Sequence, residues 1–297
     1  MEMLEKRFGV EIEFTGITRK EAAETIRRTI DSVFPVMTNG DYYDTHSVVA
    51  RDSRQWKVMY DGSIECQKRN SGRTCYATRN YSCELVTPIL TYKEDIETLQ
   101  KIIRALREAG AFVNDTCGIH VHVDGQGHTP QTLKNFINIM FTRDDMVSKG
   151  LNILPRRRRY CKKISYFLVE RINKKHLKDL KEVEDIWYTG YYNRTSHYND
   201  SRYHFLNLHA FFHGHHTVEL RGFNSSLHAG MVRSYVVLAL ALNNQALTQS
   251  KVIMKDGKVD ESCMRKYLHR IGIEDKNVIN HLTAGYRNNA ACNDQAA

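Results

Sequence analysis

Several common signatures are missing from this chain, and each absence excludes something. There is no C-x-x-C pair; the seven cysteines, Cys66, Cys75, Cys83, Cys117, Cys161, Cys263 and Cys292, are odd in number and scattered. Neither a disulfide framework nor a zinc ribbon is supported. No G-x-x-x-x-G-K-S/T loop and no G-x-G-x-x-G after a strand occurs, so neither common phosphate loop explains how a nucleotide would be held. With only four prolines, no repeat and no low-complexity segment, nothing marks a flexible linker. The simplest organisation is one continuous domain over about 1–250, followed by a helical extension and polar tail over 251–297. The longest apolar run, around Val236–Leu242, is broken by Asn243 and Asn244 and falls short of the roughly 20 residues that span a bilayer. The start, MEMLEKRFGVEIEF, carries acidic residues and no apolar stretch, so it does not read as a secretory signal, and a cytoplasmic location is expected.

What is present is an ordinary globular composition, 41% hydrophobic and 26% charged, with a formal net charge of +9 that favours acidic or phosphorylated partners. Periodicity predicts a strand over Arg7–Phe14, then a helix with Ala22, Ile26, Ile30 and Val33 on one face. Trp56, Val58 and Tyr60 alternate up to Asp61-Gly62, which predicts a hairpin resuming at Ile64 and Glu65. A strand over Cys83–Leu90 precedes a helix carrying Ile96, Leu99, Ile103 and Leu106 and stopped by Gly110. Phe112–Val123 reads as a strand, and Thr129-Pro130 opens another helix. A basic, tyrosine-rich stretch over 151–201, with a helix expected over Tyr166–Leu180, reads as an insertion. Strands over Tyr203–Phe211 and Thr217–Phe223 and a long apolar helix over Leu227–Leu247 follow. This order predicts an α+β fold with a sheet covered by helices on one face.

Three residue pairs on strands carry the candidate chemistry. Glu11 and Glu13 in GVEIEF stand two apart and share a strand face, while Val10, Ile12 and Phe14 take the other. Alone, such a pair reads as a solvated strand face; side by side, two carboxylates resist joint ionisation unless a cation neutralises them. Glu84 on a second strand, with Asp61 and Glu65 in the segment before it, repeats the acidic theme. His120 and His122 in GIHVHVD repeat the spacing with imidazoles. Glu219 and Arg221 form a third pair, of opposite sign, which also fits a surface ion pair. Glutamate oxygens with few histidines suit Mg2+ or Mn2+ better than zinc. Cys117 near these histidines is assigned no role.

In order, GVEIEF, DGSIE, CELVTP, GIHVHVD, SRYHFLNL and TVELRGFN resemble the motif series of the amidoligase family, within the carboxylate–amine ligases that include glutamine synthetase and glutamate–cysteine ligase. The resemblance runs from about residue 7 to 225. It implies a glutamine-synthetase-like, curved, mostly antiparallel sheet with helices on one face, and ATP-dependent joining of a carboxylate substrate to an amine substrate through an acyl phosphate. It also implies two magnesium ions: Glu13 and Glu84 at one, Glu11, His120 and Glu219 at the other. His122 would approach phosphate, Asp61 and Glu65 would support the acidic cluster, and Arg202, Asn207 and Arg221 would hold phosphate, substrate carboxylate or the charge formed in transfer.

Two other classes compete. Arg156–Arg159, Lys162 and Lys163 with Tyr188, Tyr191 and Tyr192 combine charge with stacking groups and fit a nucleic-acid-binding protein. A two-metal hydrolase would use the same carboxylates without ATP. The sequence names neither substrate nor oligomeric state.

Overall fold

The computed structural model describes residues 3–250 and 258–287. The polar end of the tail, with Cys292, lies outside the described residues. In chain order the elements are β1 (Phe8–Phe14), α1 (Arg19–Thr29), β2 (Met37–Thr38), β3 (His46–Val49), β4 (Gln55–Met59), β5 (Gln67–Asn70), β6 (Arg73–Tyr76), β7 (Cys83–Val86), α2 (Tyr92–Glu108), β8 (Gly118–Asp124) and α3 (Pro130–Gly150). Then come α4 (Tyr166–Lys174), α5 (Leu180–Trp187), β9 (Leu206–Asn207), α6 (His209–Phe212), β10 (Thr217–Asn224), α7 (Ala229–Thr248), α8 (Glu261–Arg270) and α9 (Lys276–Leu282). The fold is α+β: eight strands form a large antiparallel sheet and β5 and β6 a separate ribbon.

The chain divides into two compact units, Glu2–Val121 with Phe223–Arg233, and His122–Gly222 with Ser234–Ala297, called here the N-terminal and central units. In the N-terminal unit the strand order is β2-β3-β4-β7-β1-β8. Its core side is built by alternation: Val10, Ile12 and Phe14 of β1, Val58 of β4 and Leu85 of β7 are buried. α1 packs on β3, β4 and α2. It opens with a reciprocal capping box between Thr18 and Glu21. Gly110, at φ 102°, stops α2 as expected. In the central unit β10 pairs with β9, and α3, α4 and α5 pack together. α3 begins at Thr129-Pro130 through a threonine cap.

Several local expectations are corrected. The Asp61-Gly62 hairpin does not form: both edges of β4 are already taken by β3 and β7, and the Asp61 carboxylate accepts the Ser63 N–H at 2.6 Å to turn the chain away. The strand expected over Phe112–Val123 starts at Gly118, because Asn114 folds its side chain onto the Thr116 N–H at 3.1 Å. The helix over Tyr166–Leu180 is two helices: Lys175 is extended, and Asp179 caps a new start. The strand over Tyr203–Phe211 shrinks to Leu206–Asn207, since the Asn207 side chain accepts the His209 N–H at 2.8 Å and opens the short α6. Val33 also lies beyond α1 and is exposed. The extension after 258 holds two helices, α8 and α9.

Candidate functional site

In the N-terminal unit the antiparallel register of β1 and β7 sets Glu13 directly opposite Glu84, with Ile12 opposite Leu85 and Phe14 opposite Cys83. Opposed residues share a face, so the pairing that buries Ile12 and Leu85 also brings two carboxylates together. Glu13 is almost fully buried, whereas Glu11 and Glu84 are partly exposed. His120 stands between the β1 carboxylates: its Nδ1 lies 2.8 Å from Glu11 Oε2 and its Nε2 3.6 Å from Glu13 Oε1. Ligand atoms of Glu13, Glu84 and His120 all lie within 4.8 Å of one another. Glu13 is fixed further by the Gly118 N–H, donated to its Oε2 at 2.6 Å, and by the Ser225 hydroxyl, donated to its backbone carbonyl at 2.5 Å.

Asp61 and Glu65 do not join this group. Asp61 shapes its own turn, and Glu65 accepts the Gln67 side-chain amide at 2.7 Å while its backbone is tied to Thr116 and Asn114.

In the central unit, cross-strand pairing sets Glu219 of β10 opposite Asn207 of β9, and the Asn207 amide donates to Glu219 Oε2 at 2.6 Å. Arg221, two residues on and therefore on the same face, reaches Glu219 Oε1 at 3.5 Å. The Arg221 guanidinium lies over the Tyr203 ring at 5.6 Å, and Arg202 stacks on Tyr203 and Tyr198, each at 5.3 Å. Tyr203 thus groups the two arginines, a role for which the sequence carries no signal. His122, also on a strand, meets the Thr217 hydroxyl through Nδ1 at 3.0 Å.

Arg157, Arg158 and Lys163 of the basic run at 156–163 are engaged inside this unit, while Arg156, Arg159 and Lys162 are exposed. Arg157 is buried and donates to the Arg221 carbonyl at 2.9 Å, which the Cys161 thiol also reaches. Arg158 binds Asp144, and Lys163 binds Asp145 at 2.7 Å. Tyr188 is buried against His209, which pushes its hydroxyl pKa well above the ordinary value. A surface arginine run and a buttress for Arg221 look alike in sequence; only packing separates them. No described cysteine forms a disulfide. No helix among the described residues is long and apolar enough to cross a membrane.

The N-terminal group can act as a cation site: two carboxylates with one imidazole form an oxygen-rich set with one nitrogen, which suits Mg2+ or Mn2+. The central group presents guanidinium charge with a carboxylate held by an amide, an arrangement able to receive anionic groups. Among curated proteins nothing matches the chain. A family model described as "Putative amidoligase enzyme" matches residues 4–243, well over half of the chain, which therefore belongs to the amidoligase family.

Proposed function

We propose that the chain is an ATP-dependent carboxylate–amine ligase, on a glutamine-synthetase-like sheet, forming an amide or isopeptide bond through an acyl phosphate. The observation that carries this reading is the register that opposes Glu13 and Glu84 with His120 beside them, in a chain of the amidoligase family. The donor set fits Mg2+ or Mn2+, and a cation bound there would neutralise charge on the phosphates of ATP.

Each residue then has a definable task. Glu11 orients His120: with Nδ1–H donating to Glu11, the Nε2 lone pair is left on the Glu13 side. On the family resemblance Glu219 would serve a cation, and Asn207 holds its carboxylate in one rotamer. Arg221 and Arg202 stabilise the charge spread over the transferring phosphoryl group, and His122 neighbours phosphate. The substrate carboxylate attacks the γ-phosphorus and ADP leaves; the amine then attacks the acyl carbon, losing a proton, and phosphate leaves.

The test is ADP release from ATP and Mg2+ in the presence of pooled amino acids, amines and short acidic peptides, with Glu84→Ala alongside. Substrate-dependent release that disappears in the variant establishes the ligase. No release together with no calorimetric nucleotide binding overturns it.

A further inference from the structure

Between Cys66 and Cys83 the chain carries Lys68, Arg69, Arg73 and Arg79 and no acidic residue. This stretch forms the ribbon of β5 and β6, turned at Ser71 and Gly72 with φ 48° and 79°, the left-handed pair that a tight hairpin turn needs. The ribbon is rooted beside the carboxylates. The Gln67 N–H donates to Thr15 Oγ1 at 2.9 Å and its carbonyl accepts the Gly16 N–H at 3.0 Å, just past Glu13; after Tyr76 the chain runs on to Glu84.

Two features of the ribbon point outward. First, Lys68, Arg69 and Arg73 enter no ion pair among the described residues; Lys68 and Arg69 lie over the Tyr81 and Phe112 rings at 5.9 and 5.0 Å. Second, the Ala77 N–H donates to the Cys66 carbonyl, so hydrogen-bonded pairs fall by alternation at Lys68 with Cys75 and at Asn70 with Arg73. Thr74 and Tyr76 then turn their backbone N–H and C=O away from β5, along an edge where both residues are exposed. A ribbon with cations on both strands, Lys68 and Arg69 on β5 and Arg73 on β6, repels a second copy of itself and matches a strand that carries acids. An oligonucleotide would satisfy the charge but supplies no backbone ladder for the edge.

We propose that this ribbon docks an extended acidic peptide, its backbone added along the Thr74–Tyr76 edge and its carboxylates met by Lys68, Arg69 and Arg73. The inference names the class of carboxylate substrate and in that respect rests on the ligase reading.

The experiment measures binding of hexaglutamate to the full chain by fluorescence anisotropy, in low and moderate salt. Two variants accompany it: the triple Lys68→Gln, Arg69→Gln, Arg73→Gln, and Thr74→Pro, which removes an outward N–H without touching the β5–β6 ladder. Binding that weakens with salt and falls at least tenfold in both variants, each still binding Mn2+, supports the proposal. Hexaglutamate that does not bind, or binds both variants equally well, overturns it. So does a thymidine hexanucleotide that binds more tightly than hexaglutamate and loses affinity in the triple variant. Should the triple variant also lose Mn2+ binding, its fold has failed and Thr74→Pro decides. Docking with neither ADP release nor nucleotide binding keeps the ribbon and removes the ligase; ADP release from the pool with no hexaglutamate binding does the reverse.

Discussion

The two units place their candidate site residues by different means. In the N-terminal unit Glu11, Glu13, Glu84 and His120 all sit on regular strands, and the ladder that buries Ile12 against Leu85 also opposes Glu13 and Glu84. In the central unit Glu219 and Arg221 are on a strand, but Arg202 lies in a short turn at Asp200–Arg202 and is held by rings, while Arg157 reaches Arg221 from another turn. Carboxylates held by register cannot relax apart without unpairing a core strand. Arg202, held by ring contacts and by a hydrogen bond to the His197 carbonyl, is tied to no strand register.

The largest effect that sharpens this contrast is on turnover. Glu84→Ala is expected to lower ADP release by on the order of 100-fold or more while the thermal midpoint stays put; Arg202→Ala, on the loosely held side, is expected to cost less. An Arg202→Ala loss as large as that of Glu84→Ala would break the distinction. Next, Glu11→Gln removes the carboxylate that orients His120 and is expected to weaken Mn2+ binding by roughly 10- to 100-fold, read by calorimetry.

Smaller again is a paired glycine test by denaturant melts. An alanine Cβ at Gly222 would lie 2.3 Å from the Phe205 ring, so Gly222→Ala is expected to cost about 1–3 kcal/mol. At Gly9 the nearest atom, Thr87 Oγ1, is 3.8 Å away, so Gly9→Ala is expected to move stability by less than about 1 kcal/mol. Equal losses would mean that the packing beside Arg221 is no tighter than that along β1.

The smallest effect is one of pH. Burial lowers the pKa of His204 below 6.5; burial, then the neighbouring His213, does the same for His209. Below 6.5 the unfolded imidazoles take up protons first, so this contribution to stability is full above that pH and is lost as pH falls. In the N-terminal unit burial pushes Asp95 up, but hydrogen bonds from Arg54 and from the Thr91 N–H outweigh it. Its contribution therefore persists down to about 3.8 and is lost beneath it. His46, lowered by burial, adds one contribution of the histidine kind there. Trp187 packs against His204 at 5.5 Å, so in a Trp56→Phe chain its emission is expected to change as pH falls below 6.5, and His204→Asn to flatten the change.

How much of this was legible follows from which forces are local. Period-two alternation at 8–14, 83–86 and 118–124 made the strands and their carboxylate and imidazole faces readable, and caps at Thr129 and Gly110 marked helix ends, because those signals depend on a few neighbouring residues. The Asp61-Gly62 hairpin was misread because turn chemistry says nothing about whether a strand's edges are already occupied. Asp61 and Glu65 read as candidate ligands for the same reason: acidity is visible in sequence, but the hydrogen bonds that turn them elsewhere are not.

By itself, then, the sequence determined the family, the α+β class and the face of each strand that carries the carboxylates and imidazoles, since side-chain alternation is a property of the backbone. Only the tertiary structure decided that Glu13 opposes Glu84, that His120 bridges to Glu11 and that Arg157 leaves the surface to hold Arg221. Register, edge occupancy and the burial of a charge are settled between segments far apart in the chain, where packing and desolvation outweigh local preference.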